Sequence, residues 1–214
     1  MANPTFKMGL KPVRFVDGRS FDGNVVRMYI PASYATDVFI GDPVVKTGTS
    51  NTAAVATCSS KYKIGSLAEV NRAAFGTGNI IDGVVVGFDP TPASVLATTI
   101  AGKQIYGKAS TERVALVVLG PDVLFHVRDD GGAVLAATTV GLNAVLIDGS
   151  GDTVTGVSGV KLDAGTTTAP ATTAAFQLKI LGVADIPNND TGAVACVWEV
   201  SINQNRQANI VAGV

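Results

Sequence analysis

Val114–Asp130 reads VALVVLGPDVLFHVRDD, and how this stretch folds decides the rest of the chain. Val114, Leu116 and Val118 alternate with Ala115, Val117 and Leu119. Both sets are apolar, so a strand here must be buried on both faces. The run is far shorter than the roughly 20 apolar residues of a membrane-spanning helix. Gly120-Pro121-Asp122 interrupts the ladder, because proline has no N–H and a fixed φ. Beyond it the pattern changes. Val123, Phe125 and Val127 form one face, while Leu124, His126 and Arg128 form the other, as in a half-exposed strand. Asp129-Asp130-Gly131-Gly132 is a strong turn signal. The stretch is read as strand–turn–strand, with a hairpin as one possible pairing, at the centre of a core.

Working outward, other β-branched runs are separated by Gly, Pro, Asn and Asp. Asn24–Ile30, Val84–Val86, Ala144–Ile147, Phe176–Val183 and Ala193–Ile202 all read as strands. The last two flank a Pro187–Gly192 turn and are expected to pair as a hairpin. Helix signals are weak. Ser66-Leu67-Ala68-Glu69 fits a capping box, but Gly76 and Gly78 limit it to at most one turn, and an extended segment is an equal alternative. Ala133–Val140 could form a short helix that stops at Gly141. Together these readings predict an all-β fold, a jelly-roll-like sandwich or barrel with little helix. No repeat of fixed period points to a solenoid or propeller.

The chain divides into residues 1–20, a β domain at 21–203, and a tail at 204–214. Asp89–Pro92 is a weak candidate for a subdivision. Pro4, Gly9, Pro12 and Gly18 prevent a helix in the first segment. Phe6, Met8, Leu10 and Phe15 stand there among Lys7, Lys11, Arg14 and Arg19. This pattern is expected to form an extended arm that lays spaced apolar side chains on a partner; the alternative is a disordered terminus.

Charged residues make up 15% of the 214 residues and hydrophobic residues 47%, where a typical soluble domain is about 25% charged. So pale a surface suggests contact with other subunits. A secreted or cell-surface β protein is the alternative. The net charge of −1 gives no basic excess for neutralising phosphates, so direct nucleic-acid binding is not expected. The N-terminus lacks the apolar core of a secretory signal, and no membrane segment is visible. Cys58 and Cys196 are read as two buried thiols, with one bridge as the alternative; neither belongs to a CxxC motif.

Candidate chemistry is sparse. His126 is the only histidine, so it is the only base available to a Ser-His-Asp triad. Gly156-Val157-Ser158-Gly159 lacks the final glycine of a nucleophile elbow, since Val160 follows. Asp148-Gly149-Ser150-Gly151-Asp152 offers oxygen ligands for Ca²⁺ but lacks the EF-hand order and its distal Glu; a solvated turn is the default. No cofactor or metal is expected, and no catalytic residue is assigned. Trp198, within a strong strand, is read as core or interface packing, with a sugar platform as the alternative. His126 and Arg128 join Phe6, Met8, Leu10 and Phe15 as candidate contact residues.

Several segments, in order, resemble the capsid decoration or cement proteins of tailed phages. They are Gly83-Val84-Val85-Val86-Gly87-Phe88, Gly120–Phe125 running to Asp129-Asp130, Val140–Ala144, Thr155–Ser158 with Leu162-Asp163, and Leu178–Leu181. The resemblance spans roughly Phe21 to Asn203 and rests on order and spacing. Members often carry an acidic residue where His126 stands. The resemblance implies a non-enzymatic virion protein, assembled in the host cytoplasm, on the outside of an icosahedral head. Its partner would be the major capsid protein, whose capsomer junctions it would clamp. Closed symmetry then favours a homo-oligomer, a trimer first and a dimer second. A virion-associated module that binds host or glycan is the alternative.

Overall fold

A computed structural model describes residues 3–55, 62–90 and 105–207. The molecule is nearly all β, and the twelve strands among the described residues fall into a closed five-stranded barrel, an open five-stranded sheet and a two-stranded ladder. The chain begins in the sheet with β1 (Lys11–Phe15). It then builds the barrel from β2 (Val26–Ile30), β3 (Pro43–Ser50), β4 (Ala68–Arg72), β5 (Gly83–Phe88) and β6 (Arg113–Leu119). It returns to the sheet with β7 (Val123–Arg128), β8 (Asn143–Ala144), β11 (Leu178–Val183) and β12 (Val197–Ile202). Between β8 and β11, β9 (Leu146–Ile147) and β10 (Lys161–Leu162) form a separate two-stranded ladder.

The barrel closes in the order β2-β4-β3-β5-β6, with β2 back against β6; the sheet runs β1-β7-β12-β11-β8. The all-β, sandwich-or-barrel expectation therefore holds. The strand order differs from its jelly-roll-like detail, because a jelly roll pairs eight strands in two sheets. Here one sheet has closed on itself and the other has not.

Val114–Asp130 is the joint between the two. Its strands do not form a hairpin. β6 pairs with β2 and β5, whereas β7 pairs with β1 and β12. The break in the ladder is local, and the partners on either side of it are set by β2 and β5 on β6 and by β1 and β12 on β7. Pro121 cannot donate to a ladder, and Gly120 takes φ +105°, a conformation that L side chains rarely adopt. The chain therefore leaves one sheet and enters the other. β6 is buried on both faces, as its composition requires, and each face serves a different core. Ala115 and Val117 join Met28, Val44, Val70 and Val85 inside the barrel. Val118 packs with Ile81, Val84 and the sheet residues Val123, Phe125, Val127, Ile180, Trp198 and Val200. This shared cluster fuses barrel and sheet through one apolar layer.

The helix signals yield to tertiary structure. The capping-box segment becomes β4, and Ser66 Oγ donates to the Lys63 carbonyl instead. The Ala133–Val140 segment contains only a 3₁₀ turn at Ala137–Thr139. The expected C-terminal hairpin is present, with Leu178 opposite Ile202 and Val183 opposite Trp198. Asp82-Gly83 is not a hairpin turn: Gly83 lies inside β5, opposite Leu119. A Cβ there would sit 2.5 Å from the Val118 carbonyl oxygen, so bare backbone is needed for β5 to approach β6.

Three boundaries are corrected. Residues 1–20 are not an arm throughout. Lys11–Phe15 is an edge strand antiparallel to β7, and Leu10 is 1% exposed in the shared core. Asn3 is buried too, its Nδ2 donating to the carbonyls of Asp190 and Val194. An edge of β7 with free N–H and C=O groups is the nearest partner available, and the chain's own β1 takes it. The strands on either side of residues 89–92 pair with each other in the barrel, so no architectural break falls there. Residues 204–207 are not a free tail. Gln204 and Asn205 are buried, Gln204 O accepts from Ile81 N, and Asn205 Nδ2 donates to Ile81 O. Cys58 and residues 208–214 lie outside the described residues. Among the described residues no helix is long and apolar enough to cross a membrane.

Candidate functional site

The outer face of the sheet, where the N-terminal segment crosses β7, carries two adjoining clefts. β7 alternates as its sequence demands, so Leu124, His126 and Arg128 face away from the shared core. That face is not left half-exposed. Leu124 is 4% exposed and Arg128 6%; the N-terminal segment of the same molecule lies alongside, with the Phe6 ring 5.9 Å from the Arg128 guanidinium carbon.

The first cleft, of about 590 Å³, is mainly apolar; Phe6, Met8, Phe21, Val86, His126 and Ile186 are among its walls. The second, of about 230 Å³, is cationic and lies beside Arg128, Lys161 and Lys7. Phe6 and Lys7 border both. Among the described residues, Phe6 is the only aromatic that stands largely in solvent, at 45% exposure.

The structure thus brings Phe6, Met8, Leu10 and His126 to one cleft, and Phe6 and Arg128 to its neighbour. Leu10 contributes a cleft wall while lying buried in the core, so it is not a side chain that a partner could take up. Phe15 belongs elsewhere. It packs on the shared core, 6.1 Å from the Phe21 ring, with Arg19 over its face at 4.8 Å.

His126 sits across from Glu199, Nε2 to Oε2 at 3.9 Å. Glu199 is already held by Arg14, whose Nε donates to Oε2 at 3.0 Å. Burial pushes the His126 imidazolium below the usual histidine range; Glu199 opposes this, while Lys11 and Arg14 reinforce it. His126 is therefore a partly buried ring set among the charges of Glu199, Lys11 and Arg14. Ser158 is fully buried, and its Oγ donates to Asp42 at 2.6 Å. It is thereby spent on structure. Asp42 also accepts from Phe39 N and pairs with Arg72, which reaches on to Asp148 at 2.7 Å. This ionic network ties β4 of the barrel to the Asp148–Asp152 loop. Among the described residues no group of three or more His, Cys, Asp or Glu side chains is arranged to hold a metal ion.

Trp198 is 0% exposed, and its Nε1 donates to Asp129 Oδ2 at 3.1 Å. It packs in the core, as its strand position leads one to expect, and it cannot stack on a sugar, which removes the glycan-platform alternative. Asp129 also accepts from Cys196 N at 2.9 Å, Ala195 N at 2.8 Å and Gly131 N at 3.0 Å. Even so, burial dominates and raises its carboxyl above the usual range. Cys196 is a free, buried thiol, pushed up to about 11 mainly by the same desolvation.

Lys7, Lys161 and the Gly149–Gly159 loop do not stand out in the sequence as site residues. The polar, glycine-rich composition of that loop is a signal of a close backbone approach. What the composition does not show is that the loop packs beside β7. Comparison with protein-family models, with curated proteins and with solved structures finds no match.

Proposed function

We propose that the protein is a structural virion component that binds the outside of an icosahedral phage capsid and stabilises the junctions between capsomers. The observation that carries the reading is Phe6. It is a solvent-exposed aromatic on the outer sheet face, set between an apolar and a cationic cleft. Aromatic and arginine anchors beside a pocket are what concentrate binding energy at protein interfaces. The remainder of the molecule suits a passive clamp. Its charge content is low, its buried Ser158, Asp42 and Asp129 are used in structural networks, and its barrel and sheet share one core. The ordered segments that resemble decoration proteins point the same way.

In this reading the N-terminal segment acts as a fixed ridge, pinned by Asn3 and β1. Affinity for the shell then accumulates over many symmetry-related copies, and a closed homo-oligomer, trimer before dimer, is the arrangement that icosahedral junctions favour. Co-sedimentation with purified heads from the source of this sequence tests it. Wild-type protein is expected to pellet with heads at saturable stoichiometry. Phe6→Ala is expected to weaken binding by about 1–3 kcal/mol, roughly a five- to 150-fold loss. Absence of co-sedimentation would refute the reading. Glycan recognition is not supported, because Trp198 is buried and no second exposed aromatic stands beside Phe6 among the described residues.

A further inference from the structure

The cationic cleft holds a charge that the molecule does not itself neutralise. Arg128 is 6% exposed, and its Nε has no hydrogen-bond partner. A buried guanidinium without a counter-ion is costly, and such groups are normally paired. The adjacent carboxylate cannot serve: Asp129 faces the core and is taken up by Ala195, Cys196, Gly131 and Trp198. No other ion pair to Arg128 occurs among the described residues.

A second cation is placed beside it by the backbone. Asp129 and Leu162 form a parallel bridge, and Asp130 N donates to Leu162 O at 2.9 Å. Asp129 and Leu162 are both fully buried. Arg128 and Lys161, each one residue earlier, therefore share the opposite face. Like charges side by side on neighbouring strands repel. Lys7, whose Nζ donates to the Gly151 carbonyl at 3.2 Å, brings a third cation to the rim.

Gly149 and Gly159 also line the cleft. A Cβ on Gly149 would lie 1.9 Å from the Gly159 carbonyl oxygen, and one on Gly159 would lie 2.2 Å from that of Ser150. Two glycines thus let the loop close on itself while leaving a space of about 230 Å³ in front of the cations. Burial lowers the Arg128 pKa, and Asp129 opposes this as the lesser influence, as expected of a cation still short of a counter-charge.

We propose that this cleft is a carboxylate-binding site, in which Arg128 grips the two oxygens and Lys161 and Lys7 close over them from the rim. A single buried guanidinium offers a planar fork that matches a carboxylate in two parallel hydrogen bonds. The apolar cleft on the other side of Phe6 calls for an acid attached to an apolar group. An aspartate, a glutamate or a C-terminal carboxylate on a partner protein, flanked by an apolar residue, meets both demands. Inorganic phosphate can accept the same fork but offers nothing to the apolar neighbour. The site follows from the cleft's geometry alone and stands or falls separately from the capsid reading.

The test is a titration of ¹⁵N-labelled full-length protein at constant ionic strength with 3-methylbutanoate, acetate or inorganic phosphate, using chloride as the reference salt. The Arg128 Nε–H resonance is followed, and amide dispersion reports the fold. It is expected to shift saturably, with 3-methylbutanoate binding tighter than acetate and acetate tighter than phosphate. Lys161→Gln, on the rim, is expected to fold normally and to weaken binding about two- to fivefold. Arg128→Gln, which lacks that resonance and is read from the backbone amide of Lys161 in the same cleft, is expected to weaken binding at least about tenfold. No saturable shift in the wild type, or unchanged affinity in folded Lys161→Gln, would overturn the site. Tighter binding of phosphate than of either carboxylate would overturn the assignment of ligand class.

Discussion

Replacing Asp129 with alanine should be among the most damaging single changes available to this fold. The carboxylate accepts four hydrogen bonds at 2.8–3.1 Å, three of them from residues that are themselves buried: Ala195, Cys196 and Trp198. Truncation strands those three donors where water does not reach, at roughly 1–3 kcal/mol for each stranded group. Relief of the buried negative charge offsets part of this. A net loss of about 3–5 kcal/mol is expected, in the range seen when one partner of a buried charged network is removed. For a protein of this size that corresponds to a fall in Tm of about 6–20 °C.

Asp129→Asn separates the two contributions. The shape is kept, but one acceptor becomes an NH₂ donor aimed at N–H groups. Because burial raises the Asp129 pKa, the wild type carries a stability contribution that is fully present below the usual carboxylate range and is lost as pH rises through the raised folded value. The asparagine variant lacks that titration. The wild-type advantage over Asp129→Asn should therefore shrink as pH rises through that window. Calorimetric melts of all three proteins across a pH series measure both effects. A fall in Tm of less than about 2 °C for Asp129→Ala, or a pH-independent difference for Asp129→Asn, would refute the reasoning.

Leu10→Ala should cost about 2–5 kcal/mol, because Leu10 fills the shared core; a denaturant midpoint unchanged from wild type would restore the free-arm view of residues 1–20. Gly149→Ala must displace the chain at Gly159, since the new Cβ meets its carbonyl oxygen at 1.9 Å; a loss of about 1–3 kcal/mol is expected, read as a lower Tm. In a Cys58→Ser background, the buried Cys196 thiol should resist an aromatic disulfide reagent at pH 8 until the protein unfolds. Its folded value of about 11 against an ordinary 9.0 means that stability is intact below pH 9 and falls as pH rises from 9 to about 11. A Cys196→Ala variant should show a shallower alkaline decline in the same melts.

The β content was legible because runs such as Val84–Val86 and Val197–Ile202 leave no amphipathic helix to build, and Gly/Pro/Asp punctuation sets their ends. The double burial of β6 was legible for the same reason. Its two destinations were not. Periodicity shows that both faces of Val114–Leu119 need cover, but not that one faces a barrel lumen and the other a sheet. Gly120-Pro121 signals a break in the ladder equally well for a hairpin and for a crossover, and the choice depends on which strands compete for each edge. β1 was hidden because Pro12 and the basic residues read as a free segment, although an edge strand tolerates both. In the candidate site, Arg128 could be placed on the outer face of β7 from alternation alone. Its burial, and its pairing with Lys161, depend on a parallel bridge that joins residues far apart in sequence.

Electron cryo-microscopy of heads from the source of this sequence, prepared with and without the protein, tests the proposed role as a clamp on a capsid exterior. The expected result is added density at capsomer junctions into which the barrel and sheet fit as one body, with Phe6 and the Arg128 cleft turned towards the shell. Heads whose outer surface is unchanged by the protein, or density in which that face points away from the shell, would contradict the account.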